Sequence, residues 1–435
     1  CFYLLGVCFP AQESPAPCLP HIVAMPPTNR ATPMTLLSFK KGKIILREAP
    51  YAAVICDPST SSTCSYCYRD TQVKACKKCE VVSYCSKDCR RKDSADHKVE
   101  CTAIRRSDNT LDHECRLTIR ALARHHREMA GGGITVANWF GVKRTIVNLV
   151  SHIDHLVADT ELFQETSQKA RRILEIIGDM VPCFHEEAIA MIQKMRLNSY
   201  GSQNLVAVHL AASRFDHSCQ PELPIAHVFD GRKITFRALE DFTCERDQMR
   251  ISYLPPLLSY NVRQDLLMTR YYFECDCNKC WTDYNEGATE LCESDLIQEI
   301  EAVIALESSA EILEKGTKLL SQMEHLPPDN YWMYQLRCAL QNAAFAEGKH
   351  EECLNHGYYA YIGADIASYQ AKILYSMYIS LCELGWNNEN HERYPYYVEC
   401  LQKATDLFVV AFGKKHSISA ELRKALRNLP RVRAG

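Results

Sequence analysis

No stretch of the 435-residue sequence approaches the ~20 consecutive apolar residues of a membrane-spanning helix, so no membrane partner is expected. A charge surplus is missing as well. Fifty Lys/Arg stand against 53 Asp/Glu, a net −3, which excludes a body that binds nucleic acid through overall positive charge. The apolar start, residues 1–9, lacks the charged segment of a secretory signal. Complete disulfide pairing is impossible, because the 23 cysteines are an odd number. What is present is ordinary for a folded protein, with 47% hydrophobic and 24% charged residues, and wholesale disorder is excluded. The cysteines are the outlier. Many sit in C-x-x-C pairs among Lys and Asp, in a long and mostly helical-looking chain, which reads as zinc sites in a reducing compartment.

The chain divides by pattern. Residues 1–33, beginning on Cys1, are proline-rich without a recognisable period and are expected to be a disordered or artefactual tail. Strand-like runs follow around Gly42–Leu46 and Tyr51–Ile55. A cysteine block fills 64–101, and helical periodicity marks 111–195, as in Phe163, Ala170, Ile173 and Ile177. Two further strands, Ala226–Phe229 and Lys233–Phe236, flank the turn pair Asp230-Gly231. From 294 onward amphipathic segments recur in pairs, which suggests a stack like that of tetratricopeptide repeats.

Cys64-x2-Cys67, Cys76-x2-Cys79, Cys85-x3-Cys89 and His97-x3-Cys101 are four two-ligand bites. Eight soft or borderline donors fill two closed tetrahedral zinc sites, leaving no position for a catalytic water. The stretch resembles the MYND zinc finger in all eight ligand positions and in Tyr84-Cys85. That resemblance implies interleaved sites, with Cys64, Cys67, Cys85 and Cys89 on one zinc and Cys76, Cys79, His97 and Cys101 on the other. It also implies protein binding, of proline-rich peptides for example. Nine Lys/Arg and six Asp/Glu in 64–101, with seven thiolates and two Zn²⁺, sum to zero. DNA binding, which rests on phosphate neutralisation, is not expected.

The second constellation is Phe215-Asp216-His217-Ser218-Cys219-Gln220-Pro221, then Ile251-Ser252-Tyr253, then Tyr271-Tyr272-Phe273-Glu274-Cys275-Asp276-Cys277-Asn278-Lys279-Cys280. Three thiolates in C-x-C-x-x-C are one short of a closed tetrahedron, and Cys219 is the natural fourth. Together with the finger, these segments resemble the SET and MYND domain (SMYD) family of protein-lysine methyltransferases over about 36–435. The resemblance implies an α+β multi-domain fold. Residues 34–63 would be the first part of a split, β-rich SET domain, 64–101 the MYND finger and 102–200 a helical insertion. The SET core would span 201–273, the post-SET zinc cluster 274–281, and an all-helical tetratricopeptide-like domain 282–435.

It implies S-adenosyl-L-methionine as cofactor, three structural Zn²⁺, and a third zinc on Cys219, Cys275, Cys277 and Cys280. It assigns the catalytic hydroxyl to Tyr253, the lysine channel to Tyr200 and Tyr271, and the surroundings of the cofactor to Asp216, His217 and Phe273. The partner would be a lysine-bearing protein, a histone tail or a non-histone substrate. Eleven thiolates and three Zn²⁺ bring the net charge to −8, which suits basic peptides. Family habit implies a monomer resident in nucleus and cytoplasm.

The sequence departs from the family pattern in places. Asn29–Pro33 stands where a Gly-x-Gly loop closes on the cofactor, and no glycine lies between Gly6 and Gly42. Asp216 replaces an asparagine, losing a donor. Glu245-Arg246-Asp247-Gln248 replaces a Gly-Glu-Glu turn, and His152 falls where an asparagine often meets the cofactor. These departures keep open a scaffold that binds proteins without turnover. Alkylation and mass spectrometry of demetallated, denatured protein should find all eleven candidate cysteine ligands as free thiols; cystines among them would overturn the zinc reading.

Overall fold

The computed structural model describes residues 36–56, 62–108, 111–202, 204–255, 257–285, 294–323, 325–327, 330–364 and 367–430. The expected tail and the segment Asn29–Pro33 lie outside the described residues.

Residues 36–55 contribute one strand to each of three small sheets, whose other strands come from far along the chain. Leu36–Phe39 runs antiparallel to Phe242–Glu245, with Leu36 opposite Glu245. Ile44–Glu48 pairs with Lys233–Ala238, which also forms a hairpin with Ile225–Asp230. Ala52–Ile55 pairs with Leu205–Val208, and that strand with Ser199–Ser202. All four residues of Ala52–Ile55 are buried, because helix His113–Arg127 lies against the strand. A short parallel pair, Asp216–His217 beside Arg250–Ile251, continues as Ser218 donates its N–H to the Ile251 carbonyl at 3.0 Å. The body core stacks Phe215 on Phe236, centroids 4.1 Å apart, and sets Trp139 edge-on to Phe215 at 4.7 Å.

The hairpin turn falls one residue later than the sequence suggests. Asp230 and Lys233 face each other, so Gly231-Arg232 make the turn, with Gly231 at φ +55°. Only a glycine fits this approach comfortably, since a Cβ would meet the Cys67 carbonyl at 3.0 Å. Arg232 lies over the Tyr66 ring at 4.2 Å, so the hairpin tip rests on the cysteine block.

The range 102–200 is not wholly helical, contrary to the expectation from the resemblance. It carries helices His113–Arg127, Ile153–Ala158, Thr160–Ile177 and His185–Asn198, but also the hairpin Ala137–Trp139/Val142–Arg144. Phe140 and Gly141 both have positive φ, the signature of a tight two-residue hairpin, and Asn138 accepts the Gly141 N–H at 2.7 Å. The phenylalanine in that turn disguises it. The range ends inside the strand Ser199–Ser202, which carries Tyr200 into the sheet.

Seven helices from Ser294–Ile304 to Ser417–Arg427 follow, each packed on its sequence neighbour. Gly357 allows one close crossing, where a Cβ would lie 2.7 Å from Gln341 Nε2 and 2.8 Å from Met377 Cγ. The helices Ala367–Glu383 and Tyr394–Ala411 lean on the hairpin strand Ile225–Asp230 and so brace the body.

Helix Lys87–Arg106 of the cysteine block is joined to helix His113–Arg127 by buried ions. Arg120 donates to both Asp93 oxygens at 3.0 Å and to Glu100 at 2.9 Å, and Arg116 donates to Glu100 at 3.1 Å and to the Ile55 carbonyl at 2.8 Å. Burial alone would raise the Glu100 carboxyl, but Arg120 and Arg116 outweigh it and hold it well below the usual carboxylate range. Removing one partner strands buried charge. Arg120→Met is expected to lose about 3–5 kcal/mol in urea unfolding; an unchanged midpoint would deny the network its role in joining the two helices.

Candidate functional site

Three groups of four Cys/His ligand atoms form, each group lying within 4.8 Å of one another. They are Cys64, Cys67, Cys85 and Cys89; Cys76, Cys79, His97 and Cys101; and Cys219, Cys275, Cys277 and Cys280. A tetrahedron with 2.3 Å metal–sulfur bonds has edges of ~3.8 Å, and one sulfur–nitrogen edge near ~3.6 Å. The contacts fit: Cys67–Cys85 is 3.7 Å, Cys85–Cys89 3.5 Å, Cys76–Cys101 3.9 Å, Cys79–His97 3.6 Å and Cys219–Cys280 3.5 Å. These sulfur separations are far beyond the ~2.05 Å of a disulfide. Donor sets of four sulfurs, or of three sulfurs and one nitrogen, suit Zn²⁺ at this geometry and leave no fifth ligand.

Local sequence sets each bite. Ser86 caps helix Lys87–Arg106 by accepting the Cys89 N–H at 3.1 Å, so Cys89 opens the helix and His97 and Cys101 share a face one turn apart. His97 points Nε2 at Cys79 and Nδ1 at Glu100, 2.8 Å away, so the carboxylate orients the ring. In the third group the amide of Gln264 clamps Cys275 from both sides, donating to its carbonyl at 2.8 Å and accepting its N–H at 2.9 Å. Buried Arg263 donates to Cys280 Sγ at 3.6 Å, to Asp283 at 2.7 Å and to the Leu258 carbonyl. The hydrogen bond between Cys219 and Cys275 drives the two thiols apart: it pushes Cys219 upward, with burial adding to it, and pulls Cys275 downward against the effect of burial.

Beside the third group lies a cluster of aromatic rings. Tyr253 is 5.0 Å from Tyr271 by ring centroids and 5.1 Å from His217, while Phe273 is 6.4 Å from Tyr271 and 5.8 Å from His217. Tyr253 donates its hydroxyl to the Phe215 carbonyl at 2.6 Å. Tyr200 donates its own to the Ala212 carbonyl at 2.7 Å and sits edge-on to His209, His227 and Phe236. Burial foremost, then Asp216 and Tyr271, raises the Tyr253 phenol; burial, then Tyr253 and Glu48, raises that of Tyr200. Both hydroxyls stay protonated near neutral pH.

His217 is committed on both ring nitrogens. The Tyr253 N–H donates to Nδ1 at 3.0 Å, so Nε2 carries the proton and faces Cys219 Sγ at 3.2 Å. The family resemblance puts this ring beside the cofactor; here only its face and backbone are left for that. Asp216, next to it, is exposed. His152, in the left-handed region at φ +43°, packs edge-on to Tyr272 at 5.8 Å and not into the pocket of Tyr253. A cleft of about 440 Å³ lies elsewhere, on the helical array around Tyr358, Trp386 and Arg393.

Sequence reasoning missed the supports. Arg116 and Arg120 carried a signal, being two arginines four apart within the apolar run from Cys115 to Ala123. Glu48 and Arg263 carried none, since their partners are backbone groups or distant residues.

Residues 64–101 match the family model of the MYND finger. Across its length the chain is similar to the histone-lysine N-methyltransferase SMYD3 of Homo sapiens, 24% identical over 407 residues covering 88% of this chain and 91% of that protein. It is similar to the histone-lysine N-methyltransferase ASHR1 of Arabidopsis thaliana, 26% identical over 57% of this chain and 52% of that protein. SET domain-containing protein 14 of Caenorhabditis elegans is 28% identical over 54% of each chain.

Elemental analysis of the purified chain is expected to return three zinc ions, and Cys280→Ser two. A variant that still holds three would remove Cys280 from the third group.

Proposed function

Because this chain belongs to the SET and MYND domain (SMYD) family of protein-lysine methyltransferases, we propose that it methylates a lysine ε-amine of a protein substrate, with S-adenosyl-L-methionine as donor. The observation that carries this reading is the Tyr253 hydroxyl, fixed on the Phe215 carbonyl within a cluster of aromatic rings, with the Tyr200 hydroxyl fixed on the Ala212 carbonyl of the same turn.

The pocket residues fit the cofactor's chemistry: aromatic faces at Tyr253, Tyr271 and Phe273 suit a sulfonium, and the exposed Asp216 carboxylate suits an ammonium. When bound, S-adenosyl-L-methionine supplies an electrophilic methyl group whose C–S electron pair returns to sulfur as the lysine nitrogen forms the new N–C bond. The protein's part is positional. Tyr253, Tyr271 and Tyr200 exclude water around the lysine stem. Desolvation there lowers the pKa of an amine that starts near 10.4, favouring the neutral nucleophile, and its proton leaves to solvent. The two tyrosines, protonated and tied to carbonyls, are not bases; their oxygens and those carbonyls orient the nitrogen.

The acidic balance of a zinc-loaded chain favours a basic peptide, histone or non-histone. The finger is read as a protein-interaction module, and residence in nucleus and cytoplasm and a monomeric state belong to the same proposal. A second reading, protein binding without turnover, rests on Asp216, which cannot donate where the family's asparagine can.

Titration calorimetry of the zinc-loaded chain with S-adenosylhomocysteine, plus methyl transfer to histone peptides, separates the two readings. Tyr253→Phe is expected to lower kcat about 100-fold, as for loss of one preorganised group, with S-adenosylhomocysteine affinity unchanged. Full activity in that variant would take the hydroxyl out of the reaction.

A further inference from the structure

The turn 209–215 supplies both carbonyls that hold the tyrosine hydroxyls, yet it belongs to no long strand or helix. Its only regular element is the three-residue 3-10 turn Ala212–Arg214. Something else must fix it. Glu48, the last residue of its strand, accepts four N–H contacts from this turn. Oε1 takes the N–H groups of Leu210 and Ala211 at 3.0 Å, and Oε2 takes those of Ala211 at 3.0 Å and Ala212 at 2.9 Å. Arg144 holds the turn's opposite polarity. Its Nε donates to the Leu210 carbonyl at 2.8 Å, and its Nη2 to Ser213 Oγ at 3.3 Å and the Asn148 carbonyl at 3.2 Å.

A single turn is thus gripped by a carboxylate on its donors and a guanidinium on a carbonyl. Two of its carbonyls hold the tyrosines: Ala212 takes the Tyr200 hydroxyl and Phe215 the Tyr253 hydroxyl. The chain then runs directly into Asp216-His217. Burial pushes the Glu48 carboxyl up, while the Ala211, Ala212 and Leu210 N–H groups and Arg144 pull it back down.

We infer that Glu48 and Arg144 are positioning residues of the tyrosine pocket: they lock the turn 209–215 so that the Ala212 and Phe215 carbonyls aim the Tyr200 and Tyr253 hydroxyls. The inference rests on the proposed methyl transfer for its kinetic consequence, but not for its geometry. Neither residue touches the reacting atoms. A carboxylate is required and an amide does not serve, because an NH2 group at either Glu48 oxygen would face backbone donors.

Glu48→Gln keeps the size and turns one of the two acceptors into a donor. With unfolding checked by circular dichroism, it is expected to lower kcat about tenfold or more while KM and S-adenosylhomocysteine affinity change less than twofold. In protein labelled with 13C at tyrosine Cζ, the signals of Tyr200 and Tyr253, assigned through Tyr200→Phe and Tyr253→Phe, should both shift. Unmoved tyrosine signals in a folded variant would overturn the inference, as would a fall confined to KM. Should Glu48→Gln fail to fold, Arg144→Lys, which keeps the charge and breaks the fork, is measured in the same way with the same two outcomes. Wild-type protein that neither binds S-adenosylhomocysteine nor transfers methyl would end the proposed reaction, and the tyrosine signals would still decide the Glu48 assignment.

Discussion

Pairing between residues 36–55 and residues 199–245 is the constraint on which the other parts depend. Each of the three sheets is incomplete without a strand from the early segment. The cysteine block and the insertion leave and re-enter the body between those strands, so they must return the chain to a defined register. Closing so long a loop costs entropy that local contacts have to offset. The buried Arg120–Asp93–Glu100 ions and the Arg232–Tyr66 contact do this at two different places. The finger is therefore anchored to the body by its helix and by the hairpin tip, and not only by the chain connections.

Metal ligation replaces apolar burial where the chain is too short to build a core. The finger's buried cluster consists largely of its ligand cysteines with Val82, Tyr84 and Ile104. Around the third group the same holds, with Leu254, Leu258 and Leu267 beside Cys219, Cys275 and Cys280. Such a core is as strong as its ions, because the binding energy of a structural metal is also folding energy. His217 extends that dependence to the pocket. One ring nitrogen faces a ligand of the third group and the other accepts the backbone N–H of Tyr253. The position of the tyrosine is thereby linked to the integrity of the cluster through a single imidazole.

Much of this was legible in the sequence. Ligand spacing at Cys64–Cys101 needs only a local turn or one helical turn per bite, so the pattern survives in one dimension. The amphipathic segments expected from 294 onward are helices among the described residues, from Ser294–Ile304 to Ser417–Arg427. The hairpin at 137–144 was hidden, because Phe140 adopts a conformation that aromatic residues rarely signal. Glu48 was hidden for a different reason. Its partners are backbone N–H groups at 210–212, and backbone groups carry no residue code. Whatever depends on main-chain donors and acceptors gathered by the fold has no counterpart in a motif.

That blindness matters at the pocket itself, where main chain sets the chemistry. Both tyrosine hydroxyls spend their single proton on carbonyls. Neither hydroxyl then has a proton left to give a guest, so the two phenolic oxygens and the two carbonyl oxygens can act only as acceptors. An acceptor-only cage disfavours an anion and leaves a carbonyl guest unpaired, whereas a group bearing N–H bonds satisfies it. In the proposed reaction, a neutral lysine ε-nitrogen offers such bonds while it is unmethylated or monomethylated, and the surrounding rings tolerate the cationic product. The same four oxygens would lose that selectivity if either tyrosine turned its proton inward. Fixing the two carbonyls is therefore equivalent to fixing the polarity of the pocket.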